Sequence, residues 1–250
     1  MTTRLCVGVD GCRRGWVAVA GATPELRLYR TFEEVLTDWP DAQIAVDMPI
    51  GLPERISGGG RSPEKLVRPM LGARQSSVFA MPARTVVEMG GRMTGRTDDD
   101  YPLHREASAL ARTLSDPPKG VSIQGFYLFP KILEIDALLR ADLALRDRIK
   151  ESHPEVAFTV LNGGQAMRLP KKVKGRVNAP GMEERRVLLA RHGLTAPFLT
   201  DPPPPGVGAD DVLDAAACWL VARRVARGEA VSFPDPPERD AHGLEVAIWA

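Results

Sequence analysis

Leu5–Ala20 reads LCVGVDGCRRGWVAVA, and the fold turns on how this stretch is read. A short, β-branched apolar run bounded by glycine fits a buried strand better than a helix. The spacing therefore predicts a strand that ends on Asp10, a sharp turn through Gly11 to Gly15, and a second apolar strand back to Ala20. An acid at the tip of a buried strand is costly. An unpaired buried carboxylate costs several kcal/mol, on the order of a domain's whole stability margin, unless a cation or hydrogen-bond donors compensate it. Asp10 either caps the turn by accepting from the N–H groups of Gly11 to Arg14 or needs a cationic partner.

Outward from there, Ala42–Pro53 (AQIAVDMPIGLP) repeats the pattern. Ile44 and Val46 mark a buried strand that again ends on an acid, Asp47, and Pro49 stops its continuation. Two such strands are harder to explain as two separate caps. Adjacent strands lie about 4.8 Å apart, so as parallel neighbours they would bring both carboxylates to one sheet edge, within reach of one metal. Between them, Glu25–Tyr29 alternates as a third strand, and Thr31 with Glu34 forms a capping-box pattern for a short helix ending near Asp38.

The C-terminal stretch ADDVLDAAACWLVARRVARG, from Ala209, is helical in pattern. Asp211 and Asp214, three apart, share a face, while Leu213, Ala217, Leu220 and Val221 pack inward. First-turn acids are also favoured by the macrodipole, which accounts for Asp210 or Asp211 but less well for Asp214. The alanine run lets this helix lie close on a sheet and carry Asp211 or Asp214 towards the strand-end acids. Asp10, Asp47, Asp211 and Asp214 then form the constellation of a two-metal phosphoryl-transfer site, in which ions about 3.5–4 Å apart bridge a phosphate. Crowded carboxylates stay ionised together only beside a cation. With no histidine or cysteine cluster in competition, hard oxygen ligands favour Mg²⁺ or Mn²⁺ over zinc.

The chain of 250 residues, 44% hydrophobic and 26% charged with a formal net charge of +1, is that of a globular protein with a sizeable core. The charge balance neither requires nor excludes a polyanionic partner, so a nucleic-acid surface would have to come from local clustering. Three cysteines, without zinc spacing, suggest a reducing cytoplasmic setting. A signal-like core and an apolar run of about 18 residues are both lacking, so neither export nor a membrane span is expected.

The intervening segments carry the remaining candidates. Residues 53–120 are expected to be an insertion over the aspartate-bearing edge of a single domain spanning 1–250; within it, Pro53–Arg96 has eight basic and three acidic residues. GVSIQGFYLF (120–129) reads as extended. PKILEIDALL opens the clearest amphipathic helix, with Ile132, Ile135, Leu139 and Leu143 on one face and its charges, Glu134 and Asp136 among them, expected in solvent unless Glu134 or Asp136 turns inward. Val156–Leu161 reads as a strand preceded by ESHPE, where Pro154 aims Glu155 as a further candidate acid. RLPKKVKGR (168–176) holds five basic residues and no acid, either a patch suited to phosphates or simply a solvated loop. Arg74, Arg84, Lys172 and Lys174 are the candidate phosphate contacts. The tail, PDPPERDAHGLEVAIWA, reads as a closing strand.

GVDGCRRGWV, IAVDMPIGL, GARQSSVFAMPAR, PKILEIDALL, ESHPEVAF, KKVKGR and DDVLDA, in that order, resemble the domain of unknown function 429 family, predicted to be RNase H-like nucleases. The resemblance spans nearly the whole chain. It implies an RNase H-like α/β fold, a mixed sheet of three antiparallel strands followed by parallel ones, flanked by helices. More distantly it is similar to Holliday-junction resolvases, which implies metal-binding roles for Asp10, Asp47, Asp211 and Asp214 and an additional role for Glu155 in the HPE motif. Relatives often carry an acid ahead of the L-G-x-R segment; here RSPEKLVRPMLGAR leaves either Glu64 or no residue at all for that part. The expected activity is metal-dependent hydrolysis of a nucleic acid or a small phosphoester. Its rivals are an actin-like nucleotide hydrolase, disfavoured by the lack of a second glycine-rich phosphate loop, and a non-catalytic RNA-binding or scaffold protein whose acids only cap structure.

Overall fold

The computed structural model describes residues 4–250. Strand β1 (Cys6–Cys12) turns within two residues into β2 (Gly15–Ala20), with Cys12 opposite Gly15, and β3 (Glu25–Tyr29) continues the antiparallel meander. Helix α1 (Phe32–Asp38) starts on the expected capping box, with Thr31 Oγ1 accepting from the Glu34 N–H, and crosses to β4 (Gln43–Val46). Strand β4 lies parallel to β1, and β5 (Ile149–Glu151) lies parallel to β4. The mixed sheet thus runs β3-β2-β1-β4-β5, an α/β arrangement with helices on both faces.

Alternation along the strands assigns each residue to a layer. Val7, Val9, Ile44 and Val46 pack to one side, in a core with Phe32 and Val35 of α1 and with Ile132, Ile135 and Leu139 of α5 (Phe129–Ala141). That leaves Cys6, Ala45 and the intervening Gly8 for the opposite side, where α8 (Ala209–Arg227) lies. By the same parity Asp10 and Asp47 belong to the α8 side. The register pairs Val9 with Val46, so the two acids are the next residues along neighbouring parallel strands, and the Asp47 N–H donates to Val9 O at 2.9 Å.

Between β4 and β5 the chain forms α2 (Ser62–Val67), α3 (Arg84–Glu88), α4 (Thr97–Thr113) and α5. After β5 come α6 (Pro154–Leu161) and α7 (Ala179–Arg191), which pack with α8, and the hairpin β6 (Ser232–Arg239) and β7 (Glu245–Trp249). Among the described residues, no helix is long and apolar enough to cross a membrane. Cys6, Cys12 and Cys218 are all free and buried.

Four expectations need correction. The run 156–161 is helix, not strand: Pro154 occupies its first turn, where the missing N–H costs nothing, and burial along most of its length erases the periodicity that identifies a helix. The parallel strand is instead Ile149–Glu151, too short and too polar to read as one. Within 120–129, Ile123–Tyr127 is helical, with Ser122 Oγ accepting from the Gly125 N–H at 3.0 Å. The tail forms two strands, reversing at Asp240–Leu244. Finally, along the amphipathic helix Glu134 accepts from Trp16 Nε1 and from the Phe32 N–H and Asp136 is buried against Arg84, so both take the inward alternative, whereas Leu143 lies beyond the end of α5 and is 67% exposed.

Gly8 sets the depth of this packing. A Cβ built there would sit 1.9 Å from Trp219 N and 2.2 Å from Ala215 O, both backbone atoms of α8. No side-chain adjustment relieves that overlap, so Gly8→Ala is expected to destabilise the fold by about 3 kcal/mol or more, at or beyond the top of the usual overpacking range, with a matching fall in the midpoint of chemical denaturation.

Candidate metal centre

Asp10 of β1, Asp47 just beyond β4 and Asp214 in the second turn of α8 meet at one point. One carboxylate oxygen from each lies within 4.8 Å of the other two. Asp10 and Asp214 are buried and Asp47 is half-buried. Among the described residues, no protein donor hydrogen-bonds to the carboxylate of Asp10 or Asp47, and buried Asp214 Oδ1 also lacks a partner. Turn capping therefore does not account for Asp10. Three hard oxygen donors with open lone pairs suit a hard divalent cation, and the orphaned Asp214 oxygen is the observation that fits the group to such an ion.

The neighbouring cation is Lys171. Its ammonium contacts Asp214 Oδ2 and lies 4.0 Å from Glu155 Oε1. Burial works against its charge, but the Asp214 and Glu155 carboxylates outweigh burial and hold its pKa above the ordinary lysine value. Burial pushes Asp10 well above the usual carboxylate range, and the charges of Asp47 and Asp214 add to the rise. Asp47 and Asp214 are raised to about 7, chiefly by burial, with Lys171 pulling each back down.

The other candidates fall outside the triad. Asp211 does not join it: its Oδ2 accepts from the Gly208 N–H at 2.8 Å and closes the N-terminus of α8, the capping role that first-turn acids favour. Glu155 lies close by, but its carboxylate is held bidentately by the fully buried Arg185 guanidinium at 2.7 and 2.8 Å. Arg84, expected to face a phosphate, is buried and divides its guanidinium between Asp136 and Asp240. Glu64 is likewise committed, to Arg61 and to the Met81 N–H. Lys172 pairs with Asp210 at 2.6 Å on the flank of α8. Lys174 is exposed at the tip of the small hairpin 172–177, and Arg74 is half-buried with Nε unpartnered. Nothing local in the sequence separates Lys171 from Lys172 and Lys174.

The chain belongs to the family described as Protein of unknown function (DUF429), whose model matches residues 8–239. No curated protein and no solved structure matches it.

The raised acids make stability depend on pH in a defined direction. Between about 4, the ordinary carboxylate value, and about 7, folded Asp47 and Asp214 bind protons that the unfolded chain releases, so their contribution falls as pH rises. Without divalent ions, the melting temperature is expected to drop from pH 5 to pH 8. Asp47→Asn should blunt that drop, and added Mg²⁺ should offset it most at the higher pH; thermal melts across the pH range read all three.

Proposed function

We propose that this protein is a metal-dependent phosphodiester hydrolase, a nuclease built as a single RNase H-like domain into which residues 53–120 are inserted. The observation that carries the reading is the convergence of Asp10, Asp47 and Asp214, unpaired by protein donors on their free oxygens, at the edge of the two parallel strands β1 and β4. The strand order, three antiparallel strands followed by parallel ones, supports the same architecture.

Asp10, Asp47 and Asp214 would hold Mg²⁺ or Mn²⁺. Once bound, the cation supplies Lewis acidity and an activated water for attack on phosphorus. Asp211, three residues before Asp214 on the same face of α8, is the further acid available to a second ion once it leaves its cap. Lys171 stays protonated and keeps one fixed positive charge beside the acids, where an anionic substrate must arrive. Lys172 and Lys174 extend that charge along the hairpin, a natural track for a phosphate backbone. Glu155 acts through Lys171: held by Arg185, it fixes where the ammonium sits.

Calorimetric titration of wild type and Asp10→Asn with Mn²⁺, together with cleavage assays on labelled DNA and RNA strands, tests this reading. The variant should bind the ion more than tenfold more weakly, since even removing a group that merely supports a metal ligand typically costs 10–100-fold, and cleavage should disappear with it. Equal Mn²⁺ binding by the two proteins would remove the metal centre. Metal-independent binding of a single strand, uncut over long incubation, would favour a non-catalytic nucleic-acid-binding protein.

A further inference from the structure

Asp10 and Asp47 also line a cavity of about 210 Å³ that neither Asp214 nor Lys171 touches. Part of its wall is apolar, formed by Met48, Phe79, Met81, Tyr127 and Leu128. Tyr127 is 43% exposed, so one wall is an aromatic ring open to solvent.

The charged residues around the cavity are already committed. Arg61 spends its guanidinium on Glu64, on Glu151 and on the carbonyls of Ile50 and Gly51, at 2.6–3.1 Å. Lys131 donates to Gly15 O and lies 4.2 Å over the Trp16 ring. The unclaimed polar groups are the two aspartates and the His153 imidazole, whose Nδ1 is buried without a partner.

These features restrict what can bind. The volume corresponds to about seven waters at ~30 Å³ each and falls below the ~300–1,000 Å³ of pockets that enclose drug-sized ligands, which limits the occupant to a single ring system. Apolar and aromatic walls favour a flat ring. A wholly apolar ligand would strip water from two carboxylates, leave the buried His153 Nδ1 unpaired and give nothing back. The occupant therefore carries hydrogen-bonding edges and is joined to a group that belongs at a metal-binding carboxylate pair.

We propose that this cavity takes the base of a single nucleotide unit whose phosphate lies at Asp10 and Asp47. The inference rests on the reading of the acids as a cation site for phosphodiester hydrolysis and specifies its substrate class: a free nucleotide or an unpaired nucleotide of a single strand. A base stacked within a continuous duplex cannot enter without being extruded.

Calorimetry on the full chain, with Mg²⁺ present for inorganic phosphate and the nucleoside 5′-monophosphates and Ca²⁺ in its place for a single-stranded oligonucleotide and its duplex to suppress cleavage, tests the proposal. Monophosphates are not diesters, so binding is read without turnover. At least one is expected to bind tenfold or more tightly than phosphate, and the single strand more tightly than the duplex. Tyr127→Ala should weaken the monophosphate by roughly tenfold, within the range for loss of one base-stacking aromatic. Ser77→Phe, which fills the cavity from the end of the 3₁₀ helix Arg68–Ser77, should abolish the preference over phosphate while leaving the Mn²⁺ titration unchanged. If no monophosphate outbinds phosphate, if neither variant alters binding, or if duplex and single strand bind alike, the proposal is overturned. A preference lost in Ser77→Phe, in a protein whose acids bind no Mn²⁺, would retain the nucleotide pocket and remove the hydrolase.

Discussion

The near-contact of α8 with the middle of β1 is the constraint on which the rest of the structure depends. Gly8 offers no side chain, and Ala215, Ala216 and Ala217 offer very little, so helix and sheet backbones come closer together than larger residues would allow. That closeness carries Asp214 onto the tips of β1 and β4. The parallel register of the two strands does the rest by placing Asp10 and Asp47 side by side. A bulkier residue at position 8 would lift the helix and separate the third acid from the other two before any question of chemistry arose.

Converging carboxylates impose an electrostatic load that the surrounding structure answers in layers. Lys171 answers Asp214 directly, Glu155 holds Lys171, and Arg185 holds Glu155 while bonding the carbonyls of Leu169 and Gly181. A second buried chain, Glu64 to Arg61 to Glu151, joins α2 to β5 behind the cavity. Buried ion pairs add little net stability compared with apolar packing, but losing one partner costs about 3–5 kcal/mol. Their effect is to fix positions, and the positions they fix belong to the walls and floor of the site.

Much of this was legible in the sequence for identifiable reasons. Period-two alternation and a terminal acid mark β1 and β4, and a small-residue face with a second-turn acid marks α8; each is a local pattern. What escaped was set by distant partners. Helical spacing shows that Glu134 and Asp136 fall off the apolar stripe, but not that Trp16 and Arg84 come to meet them. Arg84 read as a free cation because Asp136 and Asp240 lie far from it in the chain. The 156–161 helix, buried on most sides, carries no periodic signature.

The small hairpin 172–177 is clipped to the body of the protein by two adjacent lysines in unlike surroundings. The Lys171 side chain is 19% exposed, against 49% for Lys172. Dissolved salt screens exposed pairs far more than enclosed ones. A rise in ionic strength therefore loosens the outer clasp to Asp210 while the inner one to Asp214 persists, leaving the ribbon anchored by its more enclosed lysine.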